Sequence, residues 1–88
     1  MSAGSMPEVL VEVLTELTRA RTKHPKAFNS SHEGYAVLLE EVDELWQEVK
    51  AQSDERRYMA MRKECIQIAA MCLRFIDDVC TPRLGGHG

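Results

Sequence analysis

Apolar residues recur along this chain at intervals of three and four, and nowhere in the strict alternation that marks a strand. The first such segment carries Val9, Leu10, Val13, Leu14 and Leu17 on one side. Ser5 precedes it as a capping residue and Pro7 suits a first turn, so a helix is expected from about residue 5 to residue 23, stopping before Pro25. Residues 24–31, HPKAFNSS, gather proline, asparagine and serine and read as a loop. Ser30-Ser31-His32-Glu33 then has the form of a capping box, and a second helix is expected to about residue 51. Its apolar stripe is Tyr35, Leu38, Leu39, Val42, Leu45, Trp46 and Val49, and the rings of Tyr35 and Trp46 are expected in the core. Gln52-Ser53-Asp54 interrupts the pattern, with Ser53 or Asp54 as the next cap.

The third segment differs from the other two. It is expected to be helical from about residue 54 to residue 80, ahead of Thr81-Pro82, with residues 81–88 as a flexible tail. Met61, Cys65, Ile68, Cys72, Phe75 and Val79 form one apolar stripe, while Met59, Ile66, Ala70 and Leu73 form another. A helix apolar on two sides is buried on two sides. One side can cover the chain's own helices and the other a partner chain. The pattern therefore predicts an all-α fold, an antiparallel helical bundle in one domain over residues 1–80 that oligomerisation completes.

Composition narrows the class without naming a function. At 88 residues the chain is close to the lower size for a self-sufficient core, which also favours a homodimer or homotetramer. A net charge of -3 argues against a nucleic-acid polymer as partner. No apolar run reaches the length of a membrane span, and MSAGSMPEVL has no basic segment followed by an apolar one. A cytoplasmic protein with no membrane partner is expected. Cys65, Cys72 and Cys80 lack CxxC spacing, so they are expected to be buried free thiols.

The candidate chemistry is acidic. At about 100° per residue, Glu64 projects between Met61, Ile68, Met71 and Phe75 rather than from a polar face. A carboxylate so placed needs a partner: Arg19, Arg21 or Arg62 on one account, a metal ion on the other. On the second helix Glu41, Glu44 and Glu48 share a side, with Glu41 at the edge of the apolar stripe. If the second and third helices pack antiparallel, Glu41 and Glu44 can face Glu64. Three carboxylates at a half-buried seam repel one another, and a divalent cation would keep all three ionised. An all-oxygen set suits magnesium or manganese better than zinc. The competing reading is a solvated acidic face on a plain helical dimerisation domain.

The run EEVDE at residues 40–44 and ECIQ at residues 64–67 resemble the paired EExxE and ExxD motifs of MazG-like all-α nucleoside triphosphate pyrophosphohydrolases, in a small single-domain form. The likeness spans about residues 10–78 and includes the order of helices. It implies a magnesium site at Glu41, Glu44 and Glu64, with Gln67 at the position of the family's fourth ligand, an Asp. Gln67 offers a neutral amide oxygen, removes one negative charge and cannot act as a base for water. Glu40 would be an accessory carboxylate, and Glu40 and Glu41 the catalytic pair that orients or deprotonates water. The family reaction converts a nucleoside triphosphate to a monophosphate and pyrophosphate.

Such a site also needs cations for phosphates and a cleft for a base. Lys23 and Lys26 in the first loop, and Arg56, Arg57, Arg62 and Lys63 in the third helix, are the basic candidates. Phe28 and His32 flank the loop and are the candidates to border a base. The function expected is a magnesium-dependent, manganese-compatible nucleotide pyrophosphohydrolase. Its alternative is a weak or inactive nucleotide- or metal-binding relative that serves as a helical oligomerisation module.

Overall fold

The computed structural model describes residues 4–51 and 54–85, and all of its regular structure is helical. Helix α1 spans Met6–Lys23, α2 Ser31–Lys50 and α3 Glu55–Phe75. Each begins at a side-chain cap that satisfies a backbone donor which no preceding turn can reach. Ser5 Oγ accepts from the Glu8 amide, Ser30 Oγ from the Glu33 amide, and Asp54 from the amides of Arg56 and Arg57. The Glu33 carboxylate reaches back to the amide of Asn29, at 2.6 Å, and so fixes the end of the loop. Ser53, the other candidate cap, and Gln52 lie outside the described residues.

The helical path runs further than the pattern predicted. After Phe75 it widens into a π-helical turn, Ile76–Cys80, and resumes as a short α4, Thr81–Arg83. Pro82 sits in the first turn of α4, directly after the π-helical turn. Helix α2 packs antiparallel on α3, because Gly34 near the start of α2 meets Phe75 at the end of α3. Helix α1 lies against α3 on another side, where Val13 packs with Ala70 and Ile66. This part of the second apolar stripe of α3, expected to meet a partner chain, is thus covered by the chain's own first helix. The core is small: Val13, Ala70 and Met71 are buried together, with Leu17, Val37, Leu38 and Ile66 half-buried around them.

Much of the expected core is open. Tyr35 is 60% and Trp46 54% exposed, with Leu39, Val42 and Val49 beside them on the outer side of α2. Cys65 and Cys72 are exposed as well, and Cys80 is half-exposed. The spacing correctly groups these residues into stripes. Nothing within the described residues covers this particular stripe, so the expected burial of the thiols and of the two rings does not hold in a single protomer.

A buried ion pair closes the far end of the bundle. Arg74 is 4% exposed, and its Nη2 donates to the carbonyls of His24 and Lys26 at 2.8 and 2.6 Å. Its guanidinium stacks on the Phe28 ring, 4.7 Å from the centroid, and its Nε donates to Asp78 at 3.3 Å. Asp78 accepts also from the Phe28 amide and from Arg21, at 3.1 and 3.0 Å. Burial pushes the Asp78 carboxyl up, but the Phe28 amide, Arg21 and Arg74 outweigh it and hold it below its ordinary range. The loop between α1 and α2 is thereby fastened to the end of α3.

Candidate functional site

Antiparallel packing brings the middle of α2 opposite the middle of α3. There Glu41, Glu44 and Glu64 each offer a carboxylate oxygen, all within 4.8 Å of one another. The two glutamates of α2 lie three residues apart and so project from one side. Glu64 comes from the facing helix, and Glu41 and Glu64 are half-buried while Glu44 is open to solvent. Gln67, one turn after Glu64, completes the group. With its amide oriented to satisfy its neighbours, the nitrogen donates to Glu64 Oε1 and to Glu41 Oε2, 2.9 Å from each.

Among the described residues no ion pair joins a cation to Glu41, Glu44 or Glu64, although the nearby charge of Lys63 partly offsets the upward shift of the Glu64 carboxyl. The arginines considered for Glu64 are engaged elsewhere: Arg19 with Glu16, Arg21 with Asp77 and Asp78, and Arg62 with Glu12. Burial and the charge of Glu44 push the Glu41 carboxyl up to about 7. Burial first, then Glu44, also raises Glu64. Glu41 therefore holds on to a proton close to neutral pH, as a half-buried carboxyl beside another carboxylate does. The three carboxylates offer oxygen donors of the hardness that magnesium and manganese prefer, while Gln67 turns its nitrogen toward them.

Two clefts flank the cluster. The larger, about 510 Å³, runs from Glu41 and Glu40 past Gln67 to the loop, where Lys23, Lys26 and Phe28 line it. The smaller, about 490 Å³, lies between α1 and the first half of α3 and includes Lys63 and Arg62. Among the candidate phosphate and base contacts, Lys23, Lys26 and Phe28 thus share one cleft with Glu40 and Glu41, while Lys63 and Arg62 border the other. Arg62 is drawn to Glu12 of α1, which accepts from its Nη1 at 2.9 Å. His32 lines neither cleft; it sits exposed in the first turn of α2, away from the cluster. Arg56 and Arg57 also line neither.

Comparison of the chain with protein-family models, with curated proteins and with solved structures finds no match.

Sequence reasoning did not find Glu16, and it considered Arg19 only as a partner for Glu64. Both line the two clefts, as Gln67 does, and Glu16 adds to the negative charge around Glu41. Their signal was available in the spacing of Glu12, Glu16, Arg19 and Lys23, which makes one polar stripe on α1 beside the apolar one.

Proposed function

We propose that the chain is a magnesium-dependent nucleoside triphosphate pyrophosphohydrolase of the MazG-like kind, with manganese as a substitute and a homo-oligomer as its working form. The observation that supports this most is the meeting of carboxylate oxygens of Glu41, Glu44 and Glu64 within 4.8 Å of one another. A divalent ion held there would neutralise phosphate oxygens and the charge that develops as the bridge between the α and β phosphates breaks. Glu41, Glu44 and Glu64 would hold that ion, with the Gln67 oxygen available once its amide rotates. Glu40 and Glu41 line the larger cleft and would orient a water and accept its proton. Lys23 and Lys26, in the same cleft, would meet phosphate oxygens, and the edge of Phe28 would border the base. Release of pyrophosphate from a panel of ribo- and deoxyribonucleoside triphosphates, with and without magnesium, tests the proposal. Magnesium-dependent release is expected, and no release from any triphosphate would refute it.

Gln67 favours one further reading. Its amide ties Glu64 to Glu41 without a metal, so a relative that binds nucleotide or metal but does not hydrolyse is also supported. Binding of magnesium and nucleotide without pyrophosphate release would select it.

The exposed surface area supports an oligomer. A folded monomer of 10.0 kDa exposes about 5,200 Å² by the usual scaling, about 1,300 Å² less than the 6507 Å² found here. A standard interface buries about 800 Å² per partner, so the excess is of interface size. Tyr35, Leu39, Val42, Trp46 and Val49 follow one another at intervals of four and three, the spacing of a helix seam. A second copy is the partner such a seam fits. Light scattering should give a dimer or tetramer that Val42→Glu dissociates; a monomeric wild type at micromolar concentration would refute the assembly.

A further inference from the structure

Three arginines line the two clefts: Arg19, Arg62 and Arg74. Arg74 is spent on two loop carbonyls and Asp78, and is buried. Arg62 bridges from α3 to Glu12 on α1, so it holds two helices together. Arg19 is different. It belongs to both clefts, its side chain is 57% exposed, and its partner is Glu16, one turn away on its own helix. Its Nε donates to Glu16 Oε1 at 3.0 Å and its Nη2 to Glu16 Oε2 at 2.6 Å. The guanidinium is thus shaped around a bidentate anion, yet the pair ties nothing to anything else in the fold.

We propose that Arg19 is a phosphate-binding residue of this site, held by Glu16 in the empty protein and transferred to a polyphosphate oxygen when the substrate enters. The inference rests on the metal–nucleotide reading above and extends it to α1. A guanidinium takes phosphate in the same two-pronged geometry as carboxylate, and a triphosphate carries more charge than one glutamate. The pair lies within one helix turn and its arginine is exposed, although the Glu16 side chain is only 18% exposed, so the guanidinium can turn from Glu16 to an incoming anion without unpacking the fold. The position is also suited to the task. Arg19 stands on the wall where the clefts meet, with Gln67 on the same wall and in contact with both Glu41 and Glu64. A polyphosphate bound to an ion at the carboxylates would pass within reach of it. Glu16, once released, would face a site that has gained a divalent cation, so the charge it exposes would be compensated. Exchange at Arg19 and occupancy by metal are therefore expected to be coupled.

The test is calorimetric titration of inorganic tripolyphosphate, in the presence of magnesium, into the wild type, Arg19→Gln, Arg19→Lys, Glu16→Gln and the double variant Glu16→Gln/Arg19→Gln. Magnesium alone is titrated in parallel. Arg19→Gln should weaken tripolyphosphate about tenfold or more, the size of a lost charge-assisted contact, while magnesium titrated alone should bind no more weakly, because the released Glu16 charge favours a cation. Arg19→Lys should recover part of the loss. Glu16→Gln should tighten tripolyphosphate binding, and that gain should vanish in the Arg19→Gln background. Wild-type binding that Arg19→Gln leaves unaltered would overturn the role of Arg19 and spare the metal–nucleotide reading. A gain from Glu16→Gln that survives without Arg19 would show that Glu16 acts only by its charge and overturn the exchange. A wild type that binds neither magnesium nor tripolyphosphate would remove both ideas together.

Discussion

Replacing Glu64 with glutamine keeps the shape of the side chain and removes one of three charges that crowd the seam. Two unit charges 4.8 Å apart repel by about 3.5 kcal/mol at an effective dielectric of 20, and by about 1 kcal/mol in bulk water. Glu44 is open to solvent, so the relief on removing the Glu64 charge lies between those limits, at about 2 kcal/mol. The charge-assisted hydrogen bond from Gln67 becomes a neutral one, which takes back a part and leaves a net gain of about 1–2 kcal/mol without metal. For a domain of this size that corresponds to a rise in Tm of roughly 5–10 °C. With magnesium the order reverses. A wild-type site at a hundred times its Kd gains about 2.7 kcal/mol, whereas the variant has lost a ligand and gains little. The assay is thermal unfolding at about pH 8.5, where the carboxylates are ionised, at one protein concentration, with chelator or with magnesium. A variant no more stable than wild type in chelator, with an unchanged response to magnesium, would refute the reasoning.

Other perturbations read the rest of the structure. Gly34→Ala would place a Cβ 2.6 Å from Phe75 Cδ2 and 3.1 Å from Phe28 Cδ2. Overpacking at the upper end of its range, less about 1 kcal/mol of improved helix propensity, should cost about 2 kcal/mol in urea unfolding; a neutral or stabilising result would show that the rings yield. Asp78→Asn leaves the buried Arg74 without its counter-charge and should cost about 3 kcal/mol, with faster proteolysis in the loop at residues 24–30; unchanged stability would contradict the ion-pair account. Glu41 sets the pH dependence of the metal-free protein. Its carboxyl is raised from 4.5 to about 7, so the folded state's advantage is complete below pH 4.5 and is lost as pH rises through 7. After allowance for solvent screening the loss is about 1–2 kcal/mol, and magnesium at pH 8 should restore it. Stability that rises over that interval without metal would contradict the sign.

Local signals were legible where a short-range rule governs them. The caps at Ser5, Ser30 and Asp54 set the helix starts, and Glu64 stood out because a carboxylate interrupted an apolar stripe. Spacing alone also placed Glu41 and Glu44 on one side. What stayed hidden depends on contacts between distant residues. Periodicity tells which residues share a stripe but not whether anything covers it, which is why Cys65, Cys72, Tyr35 and Trp46 were expected inside and are open. Arg74 and Asp78 are four apart on the same helix and look like an ordinary surface pair. Their burial comes from loop carbonyls that no pattern in α3 reveals. Gly34 did carry a signal, since a glycine within a helix often marks a close approach. Only the antiparallel pairing supplies Phe75 as the residue that approaches.

The central claim is that Glu41, Glu44 and Glu64 hold a divalent cation at which a nucleotide's phosphates meet the protein. Anomalous diffraction from crystals grown with manganese and a non-hydrolysable nucleoside triphosphate tests it most directly. The account predicts one strong peak about 2.1 Å from carboxylate oxygens of all three glutamates, with phosphate oxygens completing the coordination. Crystals with no peak between these residues, or with the nucleotide's metal bound elsewhere, would contradict it.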